Sequence, residues 1–512
     1  MIGSFTVLDA VVLAAYLFGT TALGVWLGRS QRDARDYFVT SQAVPWWAVL
    51  FSVVATETSA LTFISIPGLA YATDLGFLQI ALGYLLGRIV IAYTLLPKYY
   101  EGELVTAYEL LERRFGKATR RFASVIFMFT RAFGDSVRIF ATTIPLALII
   151  GPIVAPEYIQ PVAILTLGAF TIVYTYYGGM RAVIWTDVVQ TGVYLIGGLS
   201  AVWLIGQGVD GGWSAIFARA ESVEKLRIFD GYMGFDRPHT VIAGLIGGAF
   251  LSMASHGADQ MIVQRLLASS SLRDARISLI GSGVVVIVQF ALFLLIGVGL
   301  YAFYDAQTFA RTDEIFPRFI IEVMPPGLTG LVIAAILAAA MSTVSSSLNS
   351  LSAASTHDMY LPLTKRGPKD PATLRIGKVF TLIWAVILLG AALAYPAEGT
   401  PVVVLALSIA SFTYGGLLGG FFLGLLWSRA IQRDALLGMA MGIFCMTLVV
   451  FANQISAWFP DSLGGLAPLG RIAWPWYVLI GTSITVLVGV LSSFTHPRPT
   501  VTPVISVTER AA

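Results

Sequence analysis

Between Ala338 and Tyr360 the chain reads AAAMSTVSSSLNSLSAASTHDMY, an apolar stretch thick with hydroxyls. Ala339, Ser342, Thr343 and Ser346 stand at i, i+3, i+4 and i+7, one face of a helix. At membrane depth such a stripe either lets helices pack closely or offers hard oxygens to a small dehydrated cation. The second reading implies an ion-coupled carrier. An earlier run, FSVVATETSALTFISIPGLAY, sets Glu57 among Thr56, Thr58, Ser59 and Thr62, with Pro67-Gly68 beyond. Polar groups at that depth are costly and need a reason. An unwound stretch here would free backbone carbonyls for a cation. The plainer reading is that Gly and Pro only loosen packing.

Other polar groups fall inside apolar runs. GLIGGAFLSMASHGADQ, five segments later, has the same interrupted character, as an inverted repeat of five helices would produce. Its His256 and Asp259 suit proton transfer or the capping of a helix break. Asp187, in GGMRAVIWTDVVQ, would be satisfied by Ser345, Ser346 and a cation, or by a structural hydrogen bond near Arg181. Arg131, Asp135 and Arg138 are spaced i+4 and i+3 and share a face with one excess positive charge. Either Arg138 meets an anionic substrate, or the group is an internal ion network, or a neighbouring carboxylate such as Glu57 completes the balance.

The elements that must position these groups are membrane spans. Of 512 residues, 57% are hydrophobic and 12% charged, about half the charge of a soluble chain. About thirteen apolar segments reach spanning length, near 5–27, 46–72, 75–97, 122–152, 157–178, 181–206, 240–263, 277–304, 327–356, 376–396, 401–427, 436–458 and 474–495. Alternate loops are basic: Arg29, Arg32 and Arg35; Lys98 to Arg121; Arg181; Arg265, Arg273 and Arg276; Lys365 to Arg375; Arg429 and Arg433. The opposite loops are acidic or mixed, from Asp74 and Glu157 to Glu398. The positive-inside rule then places the N-terminus outside and the C-terminus in the cytoplasm, and the expected location is the plasma membrane, which is the inner membrane if the source is bacterial. The start lacks the basic n-region of a cleavable signal peptide. A net charge of +3 argues against nucleic acid. The lone Cys445 permits no internal disulfide, and no HExxH or CxxC is present.

The blocks ARDYFVTSQAVPWW, YGGMRAVIWTDVVQ, ADQMIVQRLLA and MSTVSSSLNSLSAASTHDMY together resemble the sodium:solute symporter family, which includes sodium–glucose, sodium–proline, sodium–iodide and sodium–monocarboxylate carriers. The resemblance implies an all-α membrane protein with a leucine-transporter-like core of five plus five inverted helices. The division expected is a first span and loop over 1–45, one repeat over 46–206, an extracellular loop over 207–239, the second repeat over 240–427, two peripheral helices over 428–496 and a cytoplasmic tail over 497–512. It implies a main sodium site of the Ala55, Thr58 and Ala339 carbonyls with the Ser342 and Thr343 hydroxyls. Some relatives have a second site, whose pattern maps onto Asp187, Ser342, Ser345 and Ser346, so two sodium ions per cycle are expected. Glu57, Thr62, Phe77, Gln79, Arg138, Asp259 and Tyr414 are the substrate-side candidates, with Phe77 and Tyr414 as aromatic gates.

The expected activity is sodium symport of a small organic solute by alternating access. Sugar carriers of this family place a glutamate near Leu78, where this chain has Leu78-Gln79, and a histidine at Thr62. Those departures, the Ser342-Thr343 pair and the arginine-bearing face tilt the expectation to an organic anion. Coupling to protons through Glu57 or Asp187 is the rival of the same fold. An integral-membrane enzyme is the rival of another class; no nucleophile–base or metal constellation supports one, and no obligate protein partner is evident.

Overall fold

The computed structural model describes residues 5–498, apart from 32, 41–43, 103, 144–145, 147–153, 365 and 396–401. Arg32, Lys365, Glu398 and the tail from 499 therefore lie outside the described residues. The described residues form helices joined mostly by short connections, the long loop over 207–239 excepted. We label α1 Val7–Leu27, α2 Trp46–Glu57, α3 Ala60–Ala72, α4 Leu78–Tyr93, α5 Lys117–Ala141, α6 Pro156–Gly208, α7 Gly248–Gly257, α8 Gln260–Leu267, α9 Leu272–Phe303, α10 Leu328–Ala354, α11 Pro371–Leu393, α12 Val402–Leu426, α13 Gln432–Val450 and α14 Trp476–Ser493. Among them seven helices are long and apolar enough to cross a membrane, or eight with α2 and α3 counted as one bent span. Helices suit this chain because a bilayer offers backbone amides no water to bond.

Three departures from straight helices matter for the site. The axes of α2 and α3 differ by 61°. Between them Thr58 (φ −78°, ψ 99°) and Ser59 (φ −93°, ψ 167°) are extended, so the last carbonyls of α2 lose their next-turn donors. Before α7 the backbone widens into a π turn over Ala243–Gly247, and it breaks again at Ala258 and Asp259 before α8. Within α6, Gly179 adopts φ +55°, ψ −158° and turns the chain between the two expected spans. Only glycine accepts that backbone without strain.

The hydroxyl-rich α10 is the most enclosed helix, buried from Thr329 to Ala354 save for Leu331. It packs on α6, α1, α11 and α5. Its small side chains make this possible, since they let neighbouring backbones approach. The packing of α4 on α7 and the π turn before it uses the same device: a Cβ on Gly83 would fall 2.1 Å from the Gly244 carbonyl oxygen and 3.0 Å from the Ala249 amide nitrogen.

Asp9 ties α1 to the start of α10. Its Oδ1 accepts from the Gly327 and Gly330 amides, both at 2.7 Å, and its Oδ2 accepts from the Thr6 amide and hydroxyl. Asp9→Ala leaves those amides buried without an acceptor and is expected to lower stability by about 1–3 kcal/mol. Thermal melts of the two proteins in one detergent check it, and an unchanged melt refutes this role. In the long loop, Lys225 donates to the carbonyls of Tyr71 (2.6 Å) and Thr73 (3.0 Å), and burial lowers its pKa.

Candidate functional site

The break between α2 and α3 faces the hydroxyl stripe of α10. Ala55, Thr58, Ala339 and Ser342, four of the five residues expected at a main ion site, line one cavity of about 10 Å³ with Gln190, Thr191 and Tyr194. That is the room of about one water-sized sphere. Thr343 is buried beside it and donates to the Ala339 carbonyl at 3.1 Å. The Thr58 hydroxyl donates to Gln289 Oε1 at 2.9 Å. Gln190 was not singled out from the sequence. Both ends of its buried carboxamide, and the Tyr194 hydroxyl, lack a hydrogen-bond partner among the described residues; the Tyr16 and Tyr174 hydroxyls are polar neighbours of Gln190. Three helical positions from Asp187, Gln190 follows from its spacing once α6 is seen to pack on α10.

Asp187 is fully buried, and both of its carboxylate oxygens are hydrogen-bonded. Its Oδ1 accepts from Ser342 Oγ at 2.7 Å, and its Oδ2 from Ser52 Oγ at 2.5 Å and Arg265 Nη2 at 3.1 Å. Arg265 also donates to Ser52 Oγ, to the Met261 carbonyl and to Ser346 Oγ. The carboxylate thus has a cationic neighbour, but it is Arg265 and not Arg181. Arg265, expected from the sequence to be a basic-loop charge, is instead wholly buried in α8. Ser345 is not on the carboxylate: its hydroxyl donates to the Ser342 carbonyl at 3.1 Å, as that of Ser346 does at 2.5 Å.

A larger cavity of about 150 Å³ opens beside the break. Glu57, Thr62, Phe77, Arg138 and Tyr414 line it, together with Tyr84, Arg131, Ser65 and His256. Two substrate-side candidates lie elsewhere. Gln79 bonds the carbonyls of Gly76 and His239 and the Asp230 amide, so it fastens the long loop to α4. Asp259 caps α8 through the Met261 amide and pairs with Arg131 at 2.5 Å and with the Tyr414 hydroxyl at 2.7 Å, behind the cavity wall.

The charge balance is completed by an internal ion network, as one of the expected readings had it, with Asp259 rather than Glu57 as the added acid. Asp259 joins Asp135 in balancing Arg131 and Arg138. Glu57 is taken by Arg88, a buried residue of α4 that sequence reasoning passed over. The signal was present: a lone arginine in the apolar run LLGRIVIAY needs an acid in another span. Around the cavity, Arg88, Arg131 and Arg138 face Glu57, Asp135 and Asp259, three charges against three. Arg138 is the least engaged, with one 3.4 Å contact to Asp135 and a side chain 21% exposed.

Broken helices beside an ion-sized hole and a charge-balanced cavity define a membrane carrier rather than a pore or an enzyme. The family model of the sodium:solute symporter family matches residues 37–442, and the chain belongs to that family. It is 31% identical to the sodium/sialic acid symporter of Aliivibrio fischeri, over 96% of this chain and 94% of that one. It is 28% identical to a sodium-coupled monocarboxylate transporter of Xenopus laevis, over 90% and 74%. The structure of a substrate-bound, outward-open, sodium-coupled sialic acid symporter superposes with a TM-score of 0.84 at 29% identity, covering 97% and 99% of the two chains. The protein is a sodium-coupled symporter, not an enzyme, and sodium is its coupling ion.

Proposed function

We propose that this symporter imports an organic anion through thirteen spans built on a five-plus-five inverted-repeat core, with the N-terminus outside and the C-terminus in the cytoplasm. The observation that carries the anion is Arg138, a guanidinium with one long contact facing a cavity of about 150 Å³. Its planar fork suits a carboxylate. The relatives named for sialic acid and monocarboxylates support the same class. Sodium sits in the small cavity on the carbonyls of Ala55, Thr58 and Ala339 and the hydroxyls of Ser342 and Thr343, and the Gln190 carboxamide oxygen completes its shell. A cation there offsets the charge that an anionic solute adds to a neutral cavity. Sodium joins α10 to the α2–α3 break, orders the cavity and favours the state that accepts solute; Phe77 and Tyr414 close over it.

A second sodium belongs at Asp187, Ser342, Ser345 and Ser346, where it competes with the Arg265 guanidinium for the carboxylate. Energetics favour that second ion. A tenfold sodium gradient is worth about 1.4 kcal/mol, and a charge crossing 100 mV about 2.3 kcal/mol. One sodium with a monovalent anion is electroneutral and gains only the first term. Two sodium ions gain about 5 kcal/mol in total for the same solute.

Sodium-gradient uptake into proteoliposomes tests the reading, with sialic acid as the first anion tried. Arg138→Ala is expected to weaken a carboxylate solute about 10- to 100-fold, the 1.5–3 kcal/mol of a hydrogen bond to a charged group, while the sodium midpoint without solute stays put. An unchanged KM refutes Arg138 as the anion contact.

A further inference from the structure

One cluster on the cavity wall is used by neither the ion site nor the carboxylate contact. Glu57 ends α2, and its Oε2 is held by Arg88, whose Nη1 donates to Ser282 Oγ at 2.6 Å. Its Oε1 has no hydrogen bond to a described residue, and the side chain is 18% exposed, toward the cavity. His256, on α7, approaches from the other side. Its Nδ1 is fixed by Ser255 Oγ at 2.8 Å and the Ser252 carbonyl at 3.2 Å. Its Nε2 lies 3.8 Å from Glu57 Oε2, beyond hydrogen-bond reach, and is buried without a hydrogen-bond partner among the described residues. Ser65 Oγ, on the same cavity, is likewise buried and unpartnered.

Unpaired buried polar atoms of this kind cost about 1–3 kcal/mol each and are rare in native proteins. Here Glu57 Oε1, His256 Nε2 and Ser65 Oγ face one cavity, which the side chains of Ile66, Phe77, Leu251, Met261, Ile262 and Phe290 otherwise wall with apolar surface, apart from the Asp135-bound Arg138. An arrangement of few, aimed polar groups in an apolar pocket is how small-molecule sites fix orientation. Resting on the symport reading, we infer that the solute is a carboxylate bearing at least one hydroxyl or ammonium group remote from the carboxylate, and that this group donates to Glu57 Oε1 and completes His256 Nε2. Arg88 is a positioning residue, which holds Glu57 while leaving one oxygen free. A plain monocarboxylate would satisfy Arg138 and leave the Glu57–His256 end desolvated and unpaired. Sites that expect a hydrogen bond reject analogues lacking it far more strongly than they reject a missing methylene.

The test is thermal stabilisation of the purified protein in NaCl against choline chloride. The hydroxyl arm is N-acetylneuraminate and gluconate; the ammonium arm is 4-aminobutyrate; the plain acids are propionate and benzoate; glucose lacks the carboxylate. A sodium-dependent, saturable shift with a hydroxylated or amino acid is expected, with plain acids and glucose at least about tenfold weaker. The arm that responds names the donor. His256→Phe, which leaves the Glu57–Arg88 pair intact, is expected to weaken the bound acid at least about tenfold and to leave the solute-free sodium midpoint unchanged. The inference is overturned if propionate or benzoate binds as tightly as the best acid, if His256→Phe keeps full affinity, or if no hydroxylated or amino acid binds. Absence of any sodium-specific shift without solute is a different result, and it overturns the symport reading beneath.

Discussion

Asp187→Ala is expected to destabilise the protein by about 3–5 kcal/mol, the range for removing one partner of a buried ion pair. Both side chains of the Asp187–Arg265 pair are fully buried. Without the carboxylate, the guanidinium keeps Ser52, Ser346 and the Met261 carbonyl but loses its only counter-charge among the described residues. Deleting both charges removes most of the penalty, because an apolar pair of similar volume packs without desolvated charge. Asp187→Ala combined with Arg265→Met should therefore melt well above Asp187→Ala alone. Melts of the four proteins of this cycle, run in choline chloride to exclude sodium, give the coupling. A double variant as unstable as the single one refutes the pairing. The same proteins report on the second ion: sodium-dependent uptake with a Hill coefficient near two in the parent and near one in the double variant is the expected result. A coefficient near one in the parent leaves the carboxylate to Arg265 alone.

What was legible in the sequence followed periodicity and cost. The stripe of Ala339, Ser342, Thr343 and Ser346 could be placed on one face because helical spacing is rigid. The α2 break could be read because Glu57 and four hydroxyls have no place in an uninterrupted lipid-facing helix. Partners across the fold were another matter. Glu57, Asp187 and Arg131 each needed a counter-charge, but which one depends on how helices cross, and crossing geometry leaves little trace in one sequence. Arg88 and Arg265 were passed over for opposite reasons. Arg88 stood alone in an apolar run, and Arg265 stood near a basic loop, so it was counted with Arg273 and Arg276 although it turns inward on α8. Gln79 looked like a substrate contact from its place beside the position of a family glutamate, yet its amide is spent on the Gly76 and His239 carbonyls.

Ser342→Ala is expected to remove most sodium-specific stabilisation while leaving a folded protein. The hydroxyl hydrogen points to Asp187 Oδ1 at 2.7 Å, which leaves the lone pairs of Oγ for the cavity that Ala55, Thr58, Ala339 and Gln190 share. One atom thus serves two functions, and alanine deletes both. The two losses appear in different readouts. Losing the hydrogen bond lowers the melting temperature equally in NaCl and in choline chloride, by about 1–3 kcal/mol of stability at a buried charged acceptor. Losing the ligand shifts the sodium midpoint, because an ion that binds only the folded state stabilises by mass action. A 100-fold weaker site forfeits about 2.7 kcal/mol at sodium levels that had saturated the parent. Gln190→Leu separates the two effects: the carboxamide has no well-formed hydrogen bond to a described residue, only the Tyr16 and Tyr174 hydroxyls nearby, so the choline melt should hold or rise while the sodium midpoint moves to higher concentration. If Ser342→Ala lowers both melts equally and leaves the midpoint in place, the hydroxyl is structural and the small cavity is not the ion site. If Ser342→Ala moves the midpoint and Gln190→Leu does not, the ion is held by α2 and α10 alone and the carboxamide is left out of its shell.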